Sequence, residues 1–119
     1  MIKPEDGLYS NVAYLSRQQP KRDNQRMNSP EIKNFIRQNS HLFWFMPEDK
    51  KEEVSIDLLV ETVLNYGSKD AVLKLFDLVG LNKVAEVFRS STTLNSRKRG
   101  NYHELTINYF SLLFKKYAQ

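Results

Sequence analysis

Residues 55–88 read SIDLLVETVLNYGSKDAVLKLFDLVGLNKVAEVF, and the pattern of this stretch is the strongest indication of the fold class. Apolar residues recur in it every three or four positions, which is the spacing of one face of an α-helix. Gly67 and Gly80 interrupt the pattern, and each is predicted to end a helix with a left-handed backbone conformation. Ser55 and Ser68 stand where a hydroxyl would cap the helix that follows. The stretch therefore predicts three consecutive short helices.

The third of these helices is predicted to begin with Asn82 as its cap. Together with the helix before it, it resembles a helix-turn-helix over residues 72–89, with residues 83–89 as the reading helix. Two positions disagree with that motif. Phe76 is bulky where a small residue is expected, and Glu86 is charged where a core residue is expected. The alternative is that the spacing reflects helix packing alone.

Upstream, the run Ser29-Pro30-Glu31 combines a capping hydroxyl, a proline at the first helical position and an acid in the first turn. A helix with Ile32, Phe35 and Ile36 on its apolar face is predicted to follow. The segment 41–47, HLFWFMP, is the most hydrophobic stretch of the chain. We predict that it fills part of the core.

Downstream, residues 91–103 form a predicted loop centred on the basic run 97–99, and a final helix spans residues 105–117. That helix is apolar almost all round, so we expect it to pack on several sides in the core or to be shared with a partner subunit. No alternating run of strand length occurs in the sequence. The predicted fold class is therefore all-α, a compact bundle of about five helices with a tri-helical centre.

The first 28 residues are polar, so the predicted organisation is an N-terminal arm or linker, 1–28, and one helical domain, 29–119. Apolar residues at helical spacing leave room for a short amphipathic helix over about residues 6–17. The chain has no cysteine, and its longest apolar run is five residues, far below the roughly 20 that span a bilayer. We expect a cytosolic protein without a disulfide or a signal peptide.

Few residues could carry covalent chemistry. The chain has two histidines, His41 beside the aromatic run and His103 beside Glu104, and neither lies at metal-ligand spacing. Phosphate-binding, zinc-protease and serine-nucleophile motifs are missing from the sequence. We therefore expect a protein that is not an enzyme, with no cofactor, no metal and no small-molecule substrate.

What distinguishes the chain is its apolar and basic side chains. Trp44 lies between two phenylalanines, which is typical of a core position, yet an exposed tryptophan would be a strong contact residue for a partner. The leading hypothesis is binding of a protein partner through the Trp44 region and the final helix. A dimer formed through residues 105–117 is compatible with this hypothesis and with its alternative. The proposed contact residues are Trp44, Phe110, Phe114 and Tyr117.

The alternative hypothesis is a DNA-binding regulator with a degenerate helix-turn-helix. Residues 89–119 carry six basic and one acidic side chain, whereas residues 41–88 carry five basic and nine acidic ones. Flexible cations neutralise phosphates without reading bases. The candidate nucleic-acid contacts are Arg89, Arg97, Lys98 and Arg99. A solvated loop is the favoured explanation of these charges, and an acidic protein partner is a third one.

Several segments together resemble a family of small, uncharacterised bacterial helical domains. They are the aromatic start Leu42-Phe43-Trp44, the helix LVETVLNYG at 59–67, Ser68, Gly80 and the TINYF segment at 106–110. The resemblance covers about three fifths of the chain and rests on structural, not catalytic, residues. It implies an antitoxin-like partner of nucleotidyltransferase-type toxins of the abortive-infection kind. The long polar N-terminal segment and the basic insertion before the last helix depart from the family pattern.

Overall fold

The computed structural model describes residues 12–13 and 29–118, and residues 29–118 contain five α-helices. They are α1 (Pro30–Gln38), α2 (Ile56–Tyr66), α3 (Lys69–Val79), α4 (Leu81–Ser91) and α5 (Glu104–Tyr117). Three short 3-10 helices lie between them, at Ser40–Phe43, Glu48–Glu53 and Arg97–Asn101. The described residues contain no β-strand, so the predicted all-α bundle of about five helices is confirmed.

The starts of α1, α2 and α3 are set by serine caps, as the sequence predicts. The hydroxyl oxygens of Ser29, Ser55 and Ser68 each accept a hydrogen bond from the backbone N–H three residues later, at 3.4, 3.2 and 3.2 Å respectively. Each bond satisfies one of the amides that have no partner within the first turn of the helix. The predicted Asn82 cap is wrong, because α4 already begins at Leu81 and has no side-chain cap.

The two glycines between helices serve different purposes. Gly80 has φ +100° and joins α3 to α4 as a single connecting residue, a conformation that favours glycine. Gly67 has φ −75° and ψ 156°, so the prediction of a left-handed conformation there is wrong. Its reason is space, because a Cβ atom at Gly67 would lie 2.7 Å from the carbonyl oxygen of Val63 and 3.3 Å from Cβ of Ala71.

Helices α2, α3 and α4 pack against one another in pairs, which confirms the tri-helical centre. Aromatic side chains join α5 to this centre. The ring of Phe114 lies 5.8 Å from Phe76 of α3 and 5.3 Å from Phe88 of α4, measured between ring centroids. Phe110 lies 6.5 Å from the same Phe88 ring. Edge-on contacts at these distances add to the stabilisation from burial itself.

Part of the N-terminal segment reaches the core. Val12 and Ala13 are helical, and the Val12 side chain is fully buried with the core residues. The rest of the predicted helix over residues 6–17 lies outside the described residues, and the predicted boundary near Ser29 stays a prediction. Within the described part of the chain, every helix is too short or too polar to cross a membrane.

Candidate interaction site

The segment 41–47 divides between the core and the surface. Leu42 and Phe43 are buried, as predicted, whereas Trp44 is 76% and Phe45 44% exposed. The prediction that this segment fills part of the core is therefore right for Leu42 and Phe43 and wrong for Trp44 and Phe45, and His41 and Pro47 at its ends are exposed as well. The 3-10 helix Ser40–Phe43 turns Phe43 inward and ends there, so the next two side chains leave the core. We call residues 43–47 the aromatic turn.

The aromatic turn is held by its own contacts. The backbone N–H of Met46 donates to the carbonyl of Phe43 at 3.0 Å. The Phe45 ring lies 6.4 Å from Phe43 and 5.7 Å from Trp44, the latter edge-on. Phe45 thus links a fully buried ring to Trp44, the most exposed aromatic side chain of the described residues. The contacting rings thus lead from the buried Phe43 through Phe45 to Trp44 on the surface.

A buried lysine fixes the two sides of the turn. Only 7% of Lys51 is exposed, and its ammonium group donates to the carbonyl of Ser40 at 3.1 Å and to Oε1 of Glu48 at 2.6 Å. Ser40 begins the 3-10 helix before the turn, and Glu48 begins the one after it. Because the Lys51 side chain bonds both Ser40 and Glu48, it connects the two 3-10 helices that flank the aromatic turn.

The segment that follows the turn in the chain is rich in carboxylates. The 3-10 helix there reads EDKKEE from Glu48 to Glu53, four acids and two lysines. One of those lysines is the buried Lys51, and Glu52 forms an ion pair with Arg37 at 3.2 Å. Asp49 and Glu53 are exposed. The 3-10 helix that follows the turn therefore carries a net negative charge, although Lys50 on it is exposed as well.

Two of the other proposed partner contacts are not on the surface. Phe110 and Phe114 are 2% and 0% exposed, because they face α3 and α4 in the aromatic cluster of the core. The prediction that Phe110 and Phe114 contact a partner is therefore wrong. Tyr117 is half-buried. Helix α5 instead exposes Leu105 and Leu112, at 68% and 63%, which the sequence analysis did not single out. The same seven-residue spacing separates Ile107 and Phe114, which are buried, so spacing alone does not identify the exposed pair.

Most of the candidate nucleic-acid contacts bond within the chain. Arg89 donates to the carbonyl of Phe114 at 3.0 Å, near the C-terminal end of α5. Arg99 donates to the carbonyl of Thr92, and Lys98 pairs with Asp57 of α2. Arg97 is exposed, and its side chain has no hydrogen bond or ion pair with the other described residues. The four basic side chains thus mainly connect the loop and α4 to neighbouring elements.

The connection between α3 and α4 also differs from a helix-turn-helix. A single residue, Gly80, joins the two helices, whereas the DNA-binding motif uses a turn of about three or four residues. Phe76 is buried between helices and Glu86 is exposed. Both positions therefore depart from the motif in the structure as they do in the sequence.

Polar contacts pin the loop before α5 to α2. The buried side chain of Asn65 donates to the carbonyl of Asn101 at 3.0 Å and accepts the backbone N–H of His103 at 3.1 Å. The His103 ring meets Tyr66 edge-on, with Nε2 3.3 Å from the tyrosine oxygen. These bonds give Asn65, a helix residue with a polar side chain in the core, its structural reason.

Two ionisable groups near this loop are perturbed. Burial raises the pKa of Tyr102, and the carboxylates of Glu61 and Asp57 raise it further. Burial also raises the pKa of Glu61, against the opposing effect of its hydrogen bond with Asn101. The Tyr102 hydroxyl finds no hydrogen-bond partner among the described residues. Tyr102 is therefore a core residue whose hydroxyl stays protonated.

Within residues 12–13 and 29–118, no three His, Asp or Glu side chains converge as a metal site would require. The expectation of a protein without catalytic activity stays a prediction. Comparison with known proteins found no matching family, no similar curated sequence and no similar solved structure. The resemblance to antitoxin-like domains thus also stays a prediction.

Proposed function

We propose that this chain is a non-enzymatic, cytosolic interaction domain that binds a partner protein through Trp44 and Phe45. The observation that carries the proposal is a tryptophan 76% exposed on a turn fixed by buried contacts. Tryptophan dominates the binding energy of many interfaces because it buries a large apolar area. Because the turn that carries Trp44 is already ordered, little backbone conformational entropy is lost when a partner covers it.

The charge around the turn indicates the chemistry of the partner. Asp49 and Glu53 are exposed on the 3-10 helix that follows the aromatic turn in the chain, and complementary charges across an interface favour the correct partner over others. The partner surface that fits is an apolar pocket with Lys or Arg at its rim. The resemblance to antitoxin-like domains would make that partner a cognate toxin, and this part of the proposal rests on the resemblance alone.

The test is co-expression of the full chain with the proteins encoded by neighbouring genes, followed by affinity purification after nuclease treatment. Trp44→Ser is compared with Leu94→Ser, a matched control in which an 87% exposed leucine outside the turn is removed. A protein that co-purifies with the wild type is then purified, and its affinity for each variant is measured by calorimetry. Loss of an anchor worth about 2 kcal/mol would raise the Kd by about 30-fold.

Retention of the partner by Leu94→Ser, together with its loss from Trp44→Ser, would support the proposal. Equal affinity of the two variants would refute it, because the aromatic turn would then make no contact. Nucleic acid that co-elutes with the wild type and disappears after nuclease or at high salt would also count against it. That result would direct attention to Arg97 and its basic neighbours.

A further inference from the structure

The outer face of α5 carries a leucine pair that the core does not use. Leu105 and Leu112 are 68% and 63% exposed. Seven residues of an α-helix return a side chain to within about 20° of its starting direction, so the two leucines lie on one line along the helix. Ile107, Phe110 and Phe114 face the opposite way and are buried. The leucine line is thus separate from the core-facing side.

Opposite charges stand at the two ends of this line. Glu104 is the first residue of α5 and Lys115 lies in its last turn, and both are exposed. Eleven residues separate them, about three turns, so they lie along the same edge of the helix. Asn108 is exposed midway between the two leucines. The outer face therefore reads acid, leucine, asparagine, leucine, lysine.

We propose that this face binds a second copy of the chain, with the two α5 helices antiparallel about a two-fold axis near Asn108. A two-fold interface must be self-complementary, so that each contact occurs twice. In this arrangement Leu105 of each copy meets Leu112 of the other. Glu104 then lies about two residues, or roughly 3 Å along the axis, from Lys115 of the other copy, within reach of that long side chain.

The size of the face sets the strength of the dimer. Helix α5 has 14 residues, a length of about 21 Å, and only one of its sides is available. An interface of this size falls below the roughly 1,000 Å² of a stable complex. We therefore expect a reversible dimer that forms at concentrations of about 10 µM to 1 mM. The proposal is independent of the aromatic turn and of any partner bound there.

The test is sedimentation equilibrium of the full chain over that concentration range. Leu112→Lys is expected to raise the dimer Kd by about tenfold or more, because each dimer loses two leucine contacts and gains two charges. Leu94→Lys, which changes a leucine exposed elsewhere, is the matched control and is expected to leave the Kd unchanged. Circular dichroism melts establish that each variant is folded.

Charge reversal tests the antiparallel register. Glu104→Lys alone and Lys115→Glu alone should each weaken the dimer, because each places like charges together, and the double variant should restore it. A parallel pair would not bring Glu104 of one copy to Lys115 of the other, so neither single variant would weaken the dimer. A wild type that stays monomeric throughout, or a Kd unaffected by Leu112→Lys, would overturn the proposal.

Cross-linking supplies an independent measurement, since the natural chain has no cysteine. Asn108→Cys would place one thiol of each copy next to the two-fold axis, so mild oxidation should join them by a disulfide. Asn34→Cys, on the exposed side of α1, is the matched control. Equal yields of cross-linked dimer from the two variants would contradict the proposed axis.

Discussion

Replacing Lys51 tests how the aromatic turn is held. Its ammonium group bonds the Ser40 carbonyl at 3.1 Å and Glu48 at 2.6 Å, while the side chain is 9% exposed. Hydrogen bonds from a charged donor contribute about 1.5–3 kcal/mol. Ser40 is only half-buried, so water replaces part of the lost bond. We expect Lys51→Met to lower the free energy of unfolding by about 1–2 kcal/mol.

Two further variants separate the contributions. Lys51→Ala also removes three buried methylene groups, at about 0.8 kcal/mol each, so its total cost should be about 3–4 kcal/mol. Glu48→Gln removes only the ion pair. The Glu48 side chain is 82% exposed, and such pairs contribute about 0–1 kcal/mol. The expected order of stability is therefore wild type, Glu48→Gln, Lys51→Met and Lys51→Ala.

The assay is equilibrium urea unfolding followed by far-ultraviolet circular dichroism, with partner affinity measured in parallel. Lys51→Met should weaken partner binding by less than Trp44→Ser, because it loosens the turn without removing the anchor. If Glu48→Gln cost as much as Lys51→Met, the bond to the Ser40 carbonyl would not hold the turn. An alanine variant as stable as the methionine variant would mean that the lysine stem is not buried.

Further outcomes follow from single positions. Gly67→Ala and Gly80→Ala should each destabilise the chain by about 1–3 kcal/mol, the first by a clash with a backbone carbonyl and the second by strain at positive φ. Gly100→Ala, with no atom within 4 Å of the added carbon, should change urea stability by less than about 0.5 kcal/mol. Trp44 is the one tryptophan of the chain, so tryptophan fluorescence should be red-shifted and readily quenched by acrylamide. Partner binding should shift the emission to the blue and reduce the quenching. A blue-shifted emission that acrylamide does not quench in the free chain would contradict the exposure of Trp44. Because the pKa of Glu61 is raised on folding, the free energy of unfolding falls as the pH rises through the titration of Glu61. Over that pH interval Glu61→Gln should therefore become more stable relative to the wild type, as measured by urea unfolding at several pH values.

Local chemistry made the helix boundaries accessible from the sequence. A serine cap acts on an amide three residues away, so Ser29, Ser55 and Ser68 could be assigned without knowing the rest of the fold. Gly80 was also predicted correctly. Gly67 was recognised as a helix end for the wrong reason, because the close approach of Val63 and Ala71 depends on how two helices meet, which a turn pattern does not contain.

Local sequence patterns are enough to predict short, capped helices with enough apolar residues for one core. They could not determine which apolar residues the core would use. Phe43 and Trp44 are adjacent aromatic residues, and the sequence gives no reason to bury one rather than the other. The packing of the 3-10 helix Ser40–Phe43 buries Phe43 and leaves Trp44 on the surface. Helix α5 is apolar on nearly every side, so its periodicity selects no face. The positions of α3 and α4 decide that Phe114 is buried and that Leu112 is left on the surface.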